Sequence, residues 1–305
     1  MLTYIAKRLA WMIPTVWAVA TLAFLLMRAA PGGPFDAERK LPPSIEKNVK
    51  AKYHYDEPLW RQYARYIGGV ARFDLGPSLK LQGRGVNEII AQALPYSLAL
   101  GGLALGVALF LGIILGTVAA AHRNTPLDHA VMVVALAGIS IPTFVIGPLL
   151  IILLVFVLRF LPVAQWGGPA HLVMPVLTLS APFTAYVARL MRAGMLDVLN
   201  QPFIRAARAK GAGGVSVVYR HALKVAVLPV VTFLGPASAQ LLTGSVVVEK
   251  IFNLPGLGRF FVNSAFNRDH TVALGAALVY CVMLLVFNLL VDISYAWLDP
   301  RIRYR

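Results

Sequence analysis

Six long apolar runs govern what this chain can fold into. They are roughly Leu9–Ala29, Leu94–Ala121, Ala130–Leu158, Leu172–Ala188, Val225–Val248 and Thr271–Leu298. Crossing the hydrocarbon of a bilayer takes about 20 apolar residues in a helix, with a range of about 17–25. All six qualify, the fourth barely, while the third and sixth have length to spare for tilting or for extending past the bilayer. Barrel strands would be about ten residues of alternating polarity, and no segment reads that way. The predicted fold class is an all-α polytopic membrane protein with six transmembrane helices. With 58% of its 305 residues hydrophobic and only 13% charged, the chain is too apolar for an ordinary soluble protein.

The formal charge of +15 raises the question of nucleic acid. The basic residues, however, are scattered at the ends of apolar runs, without a stripe interleaved with stacking aromatics, so nucleic acid is set aside as a partner. Membrane orientation accounts for them better. With the N-terminus inside, the cytoplasmic segments hold Lys7 and Arg8, then Arg123, then Arg189 through Lys224, then Arg301, Arg303 and Arg305. The short external loops hold Arg159 in one, and Lys250, Arg259 and Arg268 in the other, partly offset by Glu249 and Asp269. By the positive-inside rule both termini are cytoplasmic. The first run follows Lys7 and Arg8 as a secretory signal would. It is long for that role, and Met27-Arg28-Ala29-Ala30-Pro31 lacks small residues at both cleavage-determining positions, so it reads as an uncleaved anchor. The single cysteine, Cys281, lies inside an apolar run and allows no intrachain disulfide.

Three regions follow. Residues 1–30 form the first transmembrane helix, residues 31–93 a small, mainly helical external domain, and residues 94–305 a core of five further transmembrane helices. Within the external region Pro31-Gly32-Gly33-Pro34 and Leu41-Pro42-Pro43 break the chain, while Ser44–Tyr53 and Pro58–Phe73 have helical spacing. Leu59, Tyr63, Tyr66, Ile67 and Val70 would share one apolar stripe. In the core, the loop at about 196–224 contains a basic, alanine- and glycine-rich segment from Asn200 to Lys224. Pro202 suits the first turn of a helix, Ala206, Ala207 and Ala209 propagate it, and Gly211 supplies a stop. Such a helix, small on one face and ringed by Arg205, Arg208 and Lys210, can lie close against another backbone. The competing reading is a basic loop that only sets orientation.

The run Ile204-Arg205-Ala206-Ala207-Arg208-Ala209-Lys210-Gly211, with Leu228-Pro229 downstream, resembles the cytoplasmic loop of ABC-importer permease subunits. Its usual form is Glu-Ala-Ala, three residues, then Gly. This chain keeps both alanines and the glycine, carries Arg205 at the acidic position, and places its Leu-Pro further downstream. Further phrases resemble the oligopeptide, dipeptide and nickel branch of that family. They are Met27-Arg28-Ala29-Ala30-Pro31-Gly32, Phe73-Asp74-Leu75-Gly76-Pro77-Ser78, Gly138-Ile139-Ser140-Ile141-Pro142-Thr143-Phe144, Asn253-Leu254-Pro255-Gly256-Leu257-Gly258 and Asp299-Pro300-Arg301-Ile302-Arg303-Tyr304.

The resemblance implies a permease of the bacterial inner (plasma) membrane, forming half of a pathway for oligopeptides, with dipeptides, nickel or another small solute as the alternative cargo. It implies a second, homologous permease subunit, two ABC ATPase subunits that hold ATP and Mg, and a periplasmic peptide-binding protein. Phe203, Ile204, Arg205, Ala206, Ala207, Arg208, Ala209, Lys210 and Gly211 would couple to the ATPase. Asn253, Leu254, Pro255, Gly256, Leu257 and Gly258 would face the binding protein.

Individual residues carry less. Gly102, Gly106, Gly112 and Gly116 form two GxxxG spacings in the second run, suited to close helix packing in lipid. Pro142 and Pro148, Pro175 and Pro182, and Pro229 and Pro236 interrupt three runs, either shaping a cavity or merely bending the bundle. Intramembrane polar groups are few: Ser140, Thr143, Thr178, Ser180, Thr184, Ser238, Gln240, Thr243, Ser245, Asn288 and Asp292. This points away from a self-contained secondary carrier, which needs midplane ion ligands and inverted repeats. No G-x-x-x-x-G-K-[ST] occurs, and the six histidines form no zinc pattern. No serine or aspartate has a convincing catalytic companion. The chain reads as a pathway subunit without a catalytic site, cofactor or metal of its own.

Overall fold

The structure, a computed structural model, describes residues 2–29, 54, 56–81, 83–163, 165–242 and 246–298. Among these the regular elements are helical, and the one β contact is an isolated antiparallel bridge between Pro77 and Gly85. Five helical runs are long and apolar enough to cross a membrane, or six if one sharply bent pair counts as a single span. The chain divides into two compact units.

The first unit draws on residues 1–96 and 255–289. It contains α1 (Leu2–Ala29), α2 (Leu59–Ala71), the first turns of α3 (Val86–Ala121), α10 (Leu257–Phe266) and most of α11 (His270–Leu298). The aromatic rings decide how α2 meets α1. Phe24 lies edge-on to Tyr63 at 5.5 Å and stacks on Tyr66 at 5.6 Å, while the Tyr63 and Thr21 hydroxyls are 2.7 Å apart. Gln62 is buried and accepts from Arg28, whereas Leu59, expected on the apolar stripe, is exposed. The expected helix Ser44–Tyr53, the breaks at 31–34 and 41–43 and the tail 299–304 lie outside the described residues.

Asp269 is the hinge-pin of this unit. It caps the N-terminus of α11, where its carboxylate accepts from Val272 N at 3.3 Å. The same carboxylate accepts from Ser78 Oγ, Leu79 N (3.1 Å), Lys80 N (3.2 Å) and Thr271 Oγ1 (3.0 Å). Leu257, Val272 and Ala276 join Val86, Ile89 and Ala93 of α3 in a buried core.

The second unit draws on residues 97–254 and 290–303. After the rest of α3 come α4 (Pro126–Ser140), α5 (Thr143–Ile151) running into a π-helical turn at Ile152–Val157, and α6 (Pro169–Leu199). Then follow α7 (Pro202–Ala209), a run composed of Gly214–Ser216, a π-helical Val217–Ala222 and Leu223–Ala226, then α8 (Leu228–Leu242) and α9 (Val246–Ile251). Helix α6 is the axis. The helix continues well beyond its apolar run, for 31 residues, unbroken at Pro175 and Pro182, while its apolar character stays the weakest of the five unbent candidate spans.

Of the four glycines in α3, Gly112 and Gly116 pack on α6. A Cβ at Gly116 would lie 2.4 Å from the Ala188 carbonyl oxygen, and one at Gly112 2.6 Å from Val187 Cβ. A Cβ at Gly102 or Gly106 would meet nothing within 4 Å, whereas one at Gly101 would lie 2.3 Å from the Leu241 oxygen, so Gly101 makes the close approach instead. Among the described residues, therefore, the second GxxxG spacing and not the first serves packing.

The third apolar run departs from the expectation of one tilted span. It breaks into α4 and α5, bent by 109°. Ile141 is extended (φ −86°, ψ 120°), as a residue before proline prefers, and Pro142 (φ −60°, ψ 145°) starts α5 without an N–H to continue the α4 ladder.

Candidate functional site

The segment after α6 folds as its residues dictate. Gln201 is extended (φ −72°, ψ 151°), which sets Pro202 at the first helical position of α7. Ile204 is fully buried among Met191, Met195 and Val198 of α6 and Val217 and Ala222 of the run that follows. Around that single anchor the helix is open. Phe203 is 44% exposed, Arg205, Ala206, Arg208, Ala209, Lys210 and Gly211 are exposed, and Ala207 is half-buried.

The stop is a Schellman closure. Ala212 N donates to Ala207 O (3.1 Å) and Gly211 N to Arg208 O (2.9 Å), with Gly211 at φ +86°. A Cβ at Gly211 would meet nothing within 4 Å, so the backbone conformation and not space requires the glycine. Arg205, at the acidic position of the family pattern, donates to Asn200 O at 3.4 Å. The result is a short helix pinned by one side chain, presenting small and basic residues outward.

One face of α6 carries Met191 and Met195 towards Ile204. From the same stretch Arg192 reaches Asp128 in the first turn of α4. The pair is bidentate, Nε to Oδ1 at 2.6 Å and Nη2 to Oδ2 at 2.7 Å, and Asp128 is buried. Asn124 N adds a third bond at 2.9 Å to Oδ2. A buried carboxylate needs such partners, and removing one typically costs about 3–5 kcal/mol.

The other segment singled out by the sequence, Asn253–Gly258, lies largely inside. Leu254 belongs to the buried core of the second unit with Phe252, and Leu257 to that of the first. Gly256 and Gly258 are also buried, Pro255 is half-buried, and Asn253 alone is exposed. The surface these six residues offer to a partner is therefore small.

The expected polar lining is also modified. Thr178, Ser180 and Ser238 donate to carbonyls of their own helices, while Thr184 Oγ1 is buried without a hydrogen-bond partner among the described residues. Ser180 and Thr184 border a cavity of about 500 Å³ whose other walls, including Leu111, Val134, Gly138 and Leu177, are apolar. Thr243 and Ser245 lie outside the described residues.

Three carboxylates escaped the sequence reading. Glu249 and Asp269, assigned above to a short external loop, are both buried, Glu249 accepting from Ser97 Oγ at 2.7 Å. Asp128 is the third. Signals for two of them existed. Thr125-Pro126-Leu127-Asp128 is a capping-box pattern, and Asp269 directly precedes an apolar run, the place of a helix N-cap. Nothing near Arg192 or Glu249 in the sequence announces its partner.

Residues 112–304 match the family described as the binding-protein-dependent transport system inner membrane component. Over its whole length the chain is 43% identical to an oligopeptide transport system permease protein of Haemophilus influenzae, covering all of it. It is 42% identical to the corresponding Escherichia coli protein with the same coverage. It is also 42% identical to a dipeptide transport system permease protein of Bacillus subtilis, over 99% of this chain and 98% of that one. Among solved structures, chains of an amino acid ABC transporter and of a methionine ABC transporter share the fold. Their TM-scores are 0.53 and 0.56 at 22% and 16% identity, covering 68% and 69% of this chain and 92% and 94% of theirs.

Proposed function

Because this chain belongs to the family of binding-protein-dependent transport system inner membrane components, we propose that it is the permease subunit of a peptide importer, forming half of the pathway for oligopeptides. Full-length identity of 42–43% to oligopeptide permeases carries this reading. A dipeptide cargo is the second reading, favoured by the equal identity to the Bacillus subtilis protein. The chain is a membrane pathway subunit and not an enzyme; ATPase and substrate-binding partners complete the importer.

In the arrangement we propose, a second homologous permease encloses the pathway with this one, and two ATPase subunits bind ATP and Mg. Both termini are cytoplasmic, residues 31–93 form an external domain, and the exposed face of α7 docks in the ATPase. ATP closes the ATPase pair, α7 moves with it, and the spans shift between inward- and outward-facing packings. Ile204, as the single buried anchor, ties that movement to α6.

Deleting this subunit should make cells resistant to a toxic tripeptide and unable to use peptides of three or more residues as an amino-acid source. Nickel-dependent activity should be unchanged. Normal growth on such peptides, in a strain without a second peptide importer, would transfer the reading to dipeptides or nickel. Orientation is tested with single cysteines in a Cys281→Ser background and a membrane-impermeant thiol reagent. Ser44→Cys should label from outside and Ser216→Cys only after the membrane is opened; the reverse pattern would invert the topology.

A further inference from the structure

We propose that the crevice bordered by the end of α1, by α2 and by the start of α11 binds the headgroup of an anionic phospholipid, from the leaflet at that end of α1. The crevice encloses about 640 Å³. Phe24, Met27 and Leu274 give it an apolar floor; among the described residues Arg65 and Arg72, with Arg28 already bonded to Gln62, border it together with one acid, Asp74. Asp74 already accepts from Gly76 N at 3.0 Å, and Arg65 shares its guanidinium with Glu57 at 2.8 Å.

Two buried polar atoms of the lining point to the ligand's chemistry. His270 is only 8% exposed, and its Nδ1 has no hydrogen-bond partner among the described residues; neither has the buried hydroxyl of Tyr66. An N–H tautomer of His270 and the Tyr66 O–H are donors without acceptors among the described residues. Leaving such groups unsatisfied is costly. A ligand rich in acceptor oxygens and negatively charged, such as a phosphate diester, would satisfy both and match the arginines.

Depth favours lipid over a soluble anion. The Tyr63–Thr21 contact ties α2 to α1 eight residues before Ala29, about 12 Å along the helix at 1.5 Å per residue. Helix α2 is thereby held against the last turns of the apolar helix α1. There Leu59 (61%), Trp60 (66%) and Phe73 (87%) are exposed, with the Arg61 guanidinium 5.1 Å from the Trp60 ring. Basic residues interleaved with exposed tryptophan and leucine are the mark of a helix lying in a membrane interface.

The test uses the full-length chain purified in detergent with its partner subunits. Lipid occupancy is read by native mass spectrometry after adding phosphatidylglycerol or phosphatidylcholine of identical chains. Phosphatidylglycerol should be retained preferentially. The Arg65→Gln/Arg72→Gln double variant should weaken it about thirtyfold, and Tyr66→Phe about fivefold. Arg61→Gln removes one arginine charge outside the crevice and should retain the preference, which separates loss of the site from loss of surface charge. Equal retention of both lipids, or a double variant indistinguishable from the parent, would overturn the proposal. Displacement of the lipid by millimolar inorganic phosphate or by a tripeptide would do so too, in favour of a soluble anion. Because occupancy is measured without uptake, this outcome is independent of the peptide-import reading.

Discussion

Helices α7 and α9 end in the same way and do opposite things. In both, the residue after the cap adopts a left-handed conformation, Gly211 at φ +86° and Asn253 at φ +51°. In both, the next N–H reaches back to the third residue from the helix end: Ala212 N to Ala207 O at 3.1 Å, Leu254 N to Glu249 O at 2.9 Å. What differs is the side chain carried past the stop. Ala212 is half-buried beneath a helix whose outer face is open, whereas Leu254 is driven into a core beside Phe252. One stop presents a helix; the other locks a turn. Two segments equally recognisable by family pattern thus owe their residues to different demands, a surface in one case and the chain's own packing in the other.

The strongest way to break this contrast is to load bulk onto the presented helix. Ala206→Trp and Ala209→Trp both place the ring on exposed positions, so thermal stability should change by less than about 0.5 kcal/mol. Co-purification of the ATPase and peptide uptake should nevertheless be lost. Normal uptake with ATPase bound would remove α7 from the coupling role. Ala207 and Gly211 are poorer choices, being half-buried and conformationally constrained.

Truncation of the locked turn should behave in reverse. Leu254→Ala and Leu257→Ala each empty a buried site and should cost about 2–5 kcal/mol, seen as a lower unfolding midpoint in detergent, with ATPase docking intact in the folded fraction. Ile204→Ala belongs with these two despite lying in α7, because it is the buried member of that helix. A loss below about 0.5 kcal/mol at Leu254 would contradict its burial.

The left-handed positions themselves predict smaller and unequal effects. Gly211→Ala should destabilise by about 1–2 kcal/mol, the cost of a β-carbon in that conformation, and Asn253→Ala by less, because Asn253 already carries a β-carbon. A much larger loss at Gly211 would mean that space, and not backbone geometry, selects the glycine. The smallest effect is expected at Arg205→Ala, about 0–1 kcal/mol, since its bond to Asn200 O is long and exposed; uptake should persist.

These helix stops also measure how far the sequence could be read. Pro202 and Gly211 announce α7 because each residue is chosen for its own backbone. The stops at Phe73 and Arg268 follow the same hydrogen-bond pattern, Asp74 N to Gly69 O at 2.9 Å and Asp269 N to Ser264 O at 2.8 Å. Their side chains give no hint of it, because the surrounding bonds overcome a modest local preference. The six apolar runs fixed the class of fold, since hydrophobic length is a property of the local chain. The 109° bend at Pro142 was not legible: a proline predicts an interruption, while its angle depends on what the two halves pack against. Nor were the partners of Arg192 and Ser97, 64 and 152 residues away, because pairing is a property of the assembled fold.

Asp269 has a consequence for biosynthesis. Its carboxylate holds Ser78, which precedes it by 191 residues. At roughly 5–20 residues per second, translation needs about 10–40 s to supply it. Until then the stretch around Gly76–Leu81 lacks the acceptor that fixes it, and the last span has no N-cap. That stretch of the nascent protein should therefore stay protease-sensitive until the final helix is made. Ribosome-arrested chains ending at residue 260 should be cut near Leu81, and those carrying the whole of α11 should resist.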